Sequence, residues 1–160
     1  FPIMPIHRLG EEPTRRATLV DITCDSDGKI DRFIDPVQDV AQVLPVHDLR
    51  EGEPYFLAVF LVGAYQETLG DLHNLFGDTN LVHVRSDGAN GWALEEVVGS
   101  DTVAEVLTYL EYDPRALVEA MRRDCESAVR TGRLSVSDSR SLLQSYDAGL
   151  AGSTYLEVSS

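Results

Sequence analysis

The sequence predicts an α+β fold, with strands first and helices last. Three observations carry that prediction. Up to Ser100, short runs rich in β-branched and aromatic residues alternate with Gly, Pro and Asp, the punctuation of strands and turns. After Ser100 the apolar residues recur at the spacing of helix turns instead. With 160 residues, 43% of them hydrophobic, the chain can bury one core and a small appended unit. We therefore divide it into a β domain over residues 1–99 and a C-terminal helical extension over residues 100–160.

Residues 1–9 (FPIMPIHRL) are apolar with two prolines, which suits an edge strand or an entering segment, and residues 10–16 follow as a turn region. Residues 17–24 and 29–34 flank an Asp27-Gly28 turn and form a first hairpin. Within residues 37–49, residues 43–47 read as a short strand that Pro45 confines to an edge or a bulge. Residues 55–65 (YFLAVFLVGAY) show no alternation, so both faces are expected to be covered, as in a central strand or a buried helix; the aromatics favour the strand. Residues 66–80, rich in Gly, Asp, His and Asn, read as a structured loop. A second hairpin joins residues 81–85 to 92–98 through a turn at Asp87-Gly88.

Then the period changes. Thr102 and Glu105 have capping-box spacing, and Val103, Val106, Leu107 and Leu110 form one stripe of a short helix. Asp113-Pro114 is an N-cap followed by an N1 proline; Leu117, Met121, Cys125 and Val129 mark successive turns, and Gly132 lies beyond the end. A third helix is expected over about residues 137–150, carrying Leu142, Leu143, Tyr146 and Leu150.

The net charge of −14 opposes binding to nucleic acid or to an anionic membrane surface. Residues 55–64, the longest apolar run, are too few to span a bilayer. Two cysteines, on a strand end and a helix, give little basis for a disulfide and point to a reducing cytoplasm. The chain opens on Phe1-Pro2 without an initiator methionine, which leads us to expect a start inside a longer protein.

The chemistry gathers at residues 21–28 (DITCDSDG), where an apolar β-branched strand runs into a thiol, two carboxylates and a turn. The neighbouring negative charges of Asp25 and Asp27 disfavour a thiolate, so Cys24 reads as a proton donor rather than a nucleophile. The plainer alternative is a half-buried cysteine beside an ordinary hairpin turn. An EF-hand reading of the same residues fails, because aligning Gly28 with the sixth loop position puts Thr23 and Ile34 where carboxylates are required. His73, Asp71 and Asp78 match no metal-ligand spacing. Lys29, the only lysine, sits among carboxylates that keep it protonated and unsuited to Schiff-base chemistry. Tyr65, ending the apolar run, could aim its phenol at a ligand or simply pack with its hydroxyl in water.

Taken together, FPIMPIHRL, EEPTRRATLVDITCDSDGKID, LPVHDL, YFLAVFLVGAYQETLGDLHNLFGDTN and DTVAEVLTYLEYDP resemble the C-terminal region of bacterial biosynthetic arginine decarboxylases. These belong to the pyridoxal-phosphate decarboxylases of alanine-racemase-like fold. The resemblance implies an antiparallel β-sandwich or barrel, Greek-key-like, followed by about three helices. It implies that this region completes an active site whose barrel, cofactor lysine and phosphate-binding glycines lie elsewhere, in its own chain and in the neighbouring subunit of a homo-oligomer. It matches Cys24 to the cysteine that returns a proton to the substrate after carbon dioxide leaves, Asp25 to the carboxylate that pairs with the substrate's distal cation, and Tyr65 to the tyrosine that hydrogen-bonds the cofactor phosphate. Arginine as substrate, pyridoxal phosphate and magnesium as cofactors, and a place in polyamine synthesis in the cytoplasm follow from the resemblance alone. These residues by themselves are expected to be inactive. The rival expectation is a free-standing β domain that binds a small cation or a protein and catalyses nothing.

Overall fold

The computed structural model describes residues 2–35, 37–70, 72–88 and 91–155. The fold is α+β, and the chain divides into two compact units, Phe1–Gly70 and Asp71–Ser159. The second hairpin lies in the helical unit, whereas the division drawn from sequence falls after residue 99.

The first unit is built of short antiparallel ribbons. β1 (Ile3–Pro5) pairs with β8 (Leu57–Val59), and β2 (Arg15–Ala17) with β7 (Leu44–Val46). β3 (Leu19–Val20) pairs with β4 (Lys29–Ile30), and β5 (Phe33–Asp35) with β6 (Asp39–Ala41). Each ribbon is two-stranded, and among the described residues they do not close into a barrel. Pro45 stands opposite Arg16 at a ribbon edge, where its missing donor costs nothing. The hairpin of β5 and β6 is absent from the sequence reading; its turn is held by Asp35 Oδ1, which accepts from Val37 N at 2.8 Å and Gln38 N at 2.7 Å, an Asx turn.

The expectation of a covered central strand over residues 55–65 is overturned. β8 is three residues long, pairs among the described residues with β1 alone, and ends where Leu61 takes φ 59° and Gly63 φ 126°. A β-branched run cannot extend through a left-handed leucine. Beyond Val59, Phe60, Leu61 and Val62 are exposed. Residues 66–70, expected as loop, form the single-turn helix α1 (Gln66–Gly70).

In the second unit a 3₁₀ turn (His73–Leu75) leads to β9 (Leu81–Asp87) and β10 (Gly91–Val98), the expected hairpin, with a bulge at Glu95 between Leu94 and Glu96. Ala89 and Asn90 of its connection lie outside the described residues. α2 (Val103–Tyr109) begins with the expected capping box: Thr102 Oγ1 accepts from Glu105 N, and the Glu105 carboxylate accepts from Thr102 N at 2.7 Å. α3 (Pro114–Arg130) is capped by Asp113 and α4 (Val136–Ala151) by Ser135. The buried apolar side chains among the described residues are few: Pro5, Phe33 and Leu44 in the first unit, Val106 and Cys125 in the second.

Candidate functional site

β3 and β4 are short because their partner bonds give way to a side-chain cluster. Leu19 faces Ile30 and Val20 faces Lys29, and one more backbone bond runs from Asp21 N to Gly28 O at 3.0 Å. Past this point the Asp21 carboxylate takes over. Its Oδ2 accepts from Ser26 Oγ at 2.6 Å, Thr23 Oγ1 at 3.0 Å and Gly28 N at 3.1 Å. The Ser26 hydroxyl, then the Thr23 hydroxyl and the Gly28 amide, hold the Asp21 carboxyl below the ordinary aspartate range, because each favours the charged form.

On this loop the structure exposes Cys24 and Asp25 side by side, with Cys24 Sγ 3.7 Å from Asp25 Oδ1. Neither cysteine is in a disulfide; Cys125 is buried on α3. Lys29 Nζ pairs with Asp31 Oδ2 at 2.9 Å.

Tyr65 belongs to the same unit and is 72% exposed. It stands just before α1, where its carbonyl accepts from Leu69 N at 2.8 Å, while Gly63 N donates to Gln66 Oε1 at 2.7 Å. Its phenol therefore points from a folded turn and not from the end of a continuous strand. Cys24, Asp25 and Tyr65 are thus all exposed on one unit.

Two features escaped the sequence reading. Asp21 is one; its signal was an acid seven residues before the glycine of a polar loop, a spacing that lets a carboxylate tie both arms. The other is His47, buried at 4% exposure, whose Nε2 donates to the Glu11 carbonyl at 3.1 Å. Its Nδ1 is left to accept from Tyr55 Oη at 2.7 Å, and that oxygen accepts from His47 N at 2.8 Å. A groove of about 510 Å³ lined by Arg15, Val46, Leu49 and Leu57 adjoins this network. His47 ties the 44–57 segment to the N-terminal turn and reads as a framework residue.

Among the described residues no group of three or more His, Cys, Asp or Glu side chains could hold a metal ion, and Asp71 lies outside them. Nor, among the described residues, is any helix long and apolar enough to cross a membrane.

Strand ribbons displaying an acid and a thiol, followed by three capped helices, define an α+β fold with a helical extension. Residues 103–156 match the family model of the arginine decarboxylase C-terminal helical extension. The chain is 58% identical to the biosynthetic arginine decarboxylase of Gloeobacter violaceus and 55% identical to that of Bacteroides thetaiotaomicron, covering 98% of this chain and 25% of each of theirs. A solved structure, the biosynthetic arginine decarboxylase of Campylobacter jejuni, aligns with a TM-score of 0.77 at 35% identity over 98% of this chain and 25% of that one. Over nearly its whole length the chain is similar to biosynthetic arginine decarboxylases, and it spans about a quarter of the length of the relatives it matches.

Proposed function

We propose that this chain is the site-completing portion of a pyridoxal-phosphate-dependent arginine decarboxylase, which converts arginine to agmatine and carbon dioxide for polyamine synthesis in the cytoplasm. The observation that carries the reading is the joint display of Cys24 and Asp25, both exposed, on one clamped loop. Pyridoxal phosphate, when bound, supplies the electron sink for the pair left behind as carbon dioxide departs. The Cys24 thiol then delivers a proton to the substrate carbon, a task for which a protonated, exposed sulfur suits better than a thiolate. The Asp25 carboxylate accepts the fork of N–H donors on the guanidinium of arginine. An exposed phenol can donate to a phosphate oxygen, which is the part Tyr65 plays at the cofactor.

This division of labour leaves the lysine, the remaining phosphate contacts and any magnesium to the barrel of the longer protein, with the loop reaching into the neighbouring subunit of a homo-oligomer. The exposed apolar segment from Phe56 to Val62 is the surface the rest of the assembly covers. The chain alone does not decarboxylate arginine; carbon dioxide release from arginine and pyridoxal phosphate by these residues alone overturns that statement. In the full-length enzyme, Cys24→Ala lowers kcat by roughly 10²–10⁴-fold while cofactor absorbance persists. Asp25→Ala acts chiefly through KM. Unchanged turnover in the Cys24→Ala enzyme sinks the reading.

A further inference from the structure

A loop that presents a proton donor needs a fixed shape, because displacement by about an ångström can cost on the order of 10²-fold in rate. Two ribbon strands of two residues each supply little of that shape. The donors gathered by Asp21 Oδ2 lie on both sides of Cys24, with Thr23 before it and Ser26 and Gly28 after it. One oxygen atom therefore fixes both arms of the loop to its root. Gly28 is the second part of the device. A Cβ at this position would lie 2.4 Å from Asp21 Oδ2 and 3.0 Å from its Cγ, so only a glycine lets the carboxylate reach the backbone there.

We infer that Asp21 is a positioning residue for the reaction: through the three hydrogen bonds its Oδ2 accepts, it sets where the Cys24 thiol and the Asp25 carboxylate stand. The inference rests on the roles given above to Cys24 and Asp25. Because the carboxyl titrates below the ordinary aspartate range, the clamp stays charged throughout neutral pH.

The test uses steady-state kinetics of the full-length enzyme, with cofactor absorbance as a check on folding. Asp21→Ala lowers kcat by about 10²-fold, and Asp21→Asn, which keeps an acceptor oxygen at the same reach, recovers most of it. Gly28→Ala is similarly impaired, because its methyl group collides with the carboxylate. The double variant Asp21→Ala/Gly28→Ala is no worse than Asp21→Ala, since the collision partner is gone, and this non-additivity is what a merely tolerant loop lacks. In a Cys24→Ala background, Asp21→Ala costs little further kcat. If Cys24→Ala abolishes turnover but Asp21→Ala leaves it intact, this inference falls and the proposed function stands. If Cys24→Ala leaves turnover intact, the proposed function falls and this inference with it. Fully additive losses, or an asparagine variant no better than alanine, overturn the positioning role.

Discussion

Gly77→Ala tests how the second unit is assembled. Gly77 N donates to Thr154 Oγ1 at 2.9 Å, and its carbonyl accepts from Tyr155 Oη at 2.9 Å, while Tyr155 stacks on Phe76 with ring centroids 5.0 Å apart. Next to it, Asp78 and Asp101 exchange two bonds, Asp78 N to Asp101 Oδ2 at 2.9 Å and Asp101 N to Asp78 O at 3.0 Å. A methyl group on Gly77 would lie 2.4 Å from the Asp101 Cβ. That atom is anchored to backbone and cannot rotate away, so the 76–80 segment or the turn before α2 must move. Overpacking of this kind costs about 1–3 kcal/mol, and each neutral hydrogen bond lost adds about 1 kcal/mol. For a unit of this size, ~2 kcal/mol lowers the thermal midpoint by roughly 8–16 °C. Far-ultraviolet circular dichroism reports this unit, because it holds α2, α3 and α4. Gly99→Ala is the matched control, with nothing within 4 Å of its added methyl group; it leaves the midpoint nearly unchanged. Adding Asp101→Gly to Gly77→Ala removes the colliding atom and recovers part of the loss. Equal midpoints for Gly77→Ala and Gly99→Ala refute the steric argument.

Further expectations follow for each unit. Phe33→Ala removes one of the few buried side chains of the first unit at about 3–5 kcal/mol, comparable with the whole stability of a domain of that size at roughly 0.1 kcal/mol per residue; proteolysis confined to residues 1–70 checks it, and resistance equal to wild type counts against it. Asp113→Ala removes the acceptor that holds Arg115 N at 2.9 Å and destabilises α3 by about 1 kcal/mol, read as a lower helical midpoint with asparagine as the neutral replacement. Glu105 is held below the ordinary glutamate value of 4.5 by the Thr102 amide and hydroxyl. A depressed carboxyl stabilises the fold above its unfolded-state value and loses that effect as pH falls through its folded value. Glu105→Gln is therefore less stable than wild type at neutral pH, and the difference closes in acid; a gap independent of pH contradicts the capping geometry.

Helix starts were legible in sequence where their signals are local. Thr102 with Glu105, Asp113 with Pro114, and the stripes through Val106 and Cys125 each need only a few neighbouring residues to be read, and α2 and α3 stand where those signals place them. The second hairpin was legible for the same reason. The 55–65 run misled because an unbroken apolar pattern reports that a segment is to be covered without saying by what. Here Tyr55, Leu57 and Ala58 are half-buried while Phe56 and residues 59–62 stay exposed, and the left-handed φ at Leu61 that breaks the strand has no local signature. The Asp21 clamp was missed because Asp21 to Gly28 was read as strand followed by turn, while the carboxylate competes with the ladder for the loop's donors. Cys24 and Asp25 were found because their chemistry is local; Asp21 was not, because its role appears only once both arms of the loop meet.

The sparse interior of the first unit bears directly on the proposed role. Pro5, Phe33 and Leu44 are its buried apolar side chains among the described residues, while Phe56 is 55%, Phe60 43%, Leu61 85% and Val62 41% exposed. Complete burial of each such side chain is worth about 1.5–3 kcal/mol, so the part left in water along this segment is comparable with the stability of a unit of seventy residues at roughly 0.1 kcal/mol per residue. Order here comes from directional bonds instead: Asp35 in its turn, His47 between Glu11 and Tyr55, and the carboxylates of Glu11 and Asp48, which the guanidinium groups of Arg8 and Arg15 hold below their ordinary range. Such bonds fix shape without consuming apolar surface. A domain stiffened in this way leaves the Phe56, Phe60, Leu61 and Val62 side chains exposed, and the Asp21 loop on the same unit is held by the same kind of directional bond.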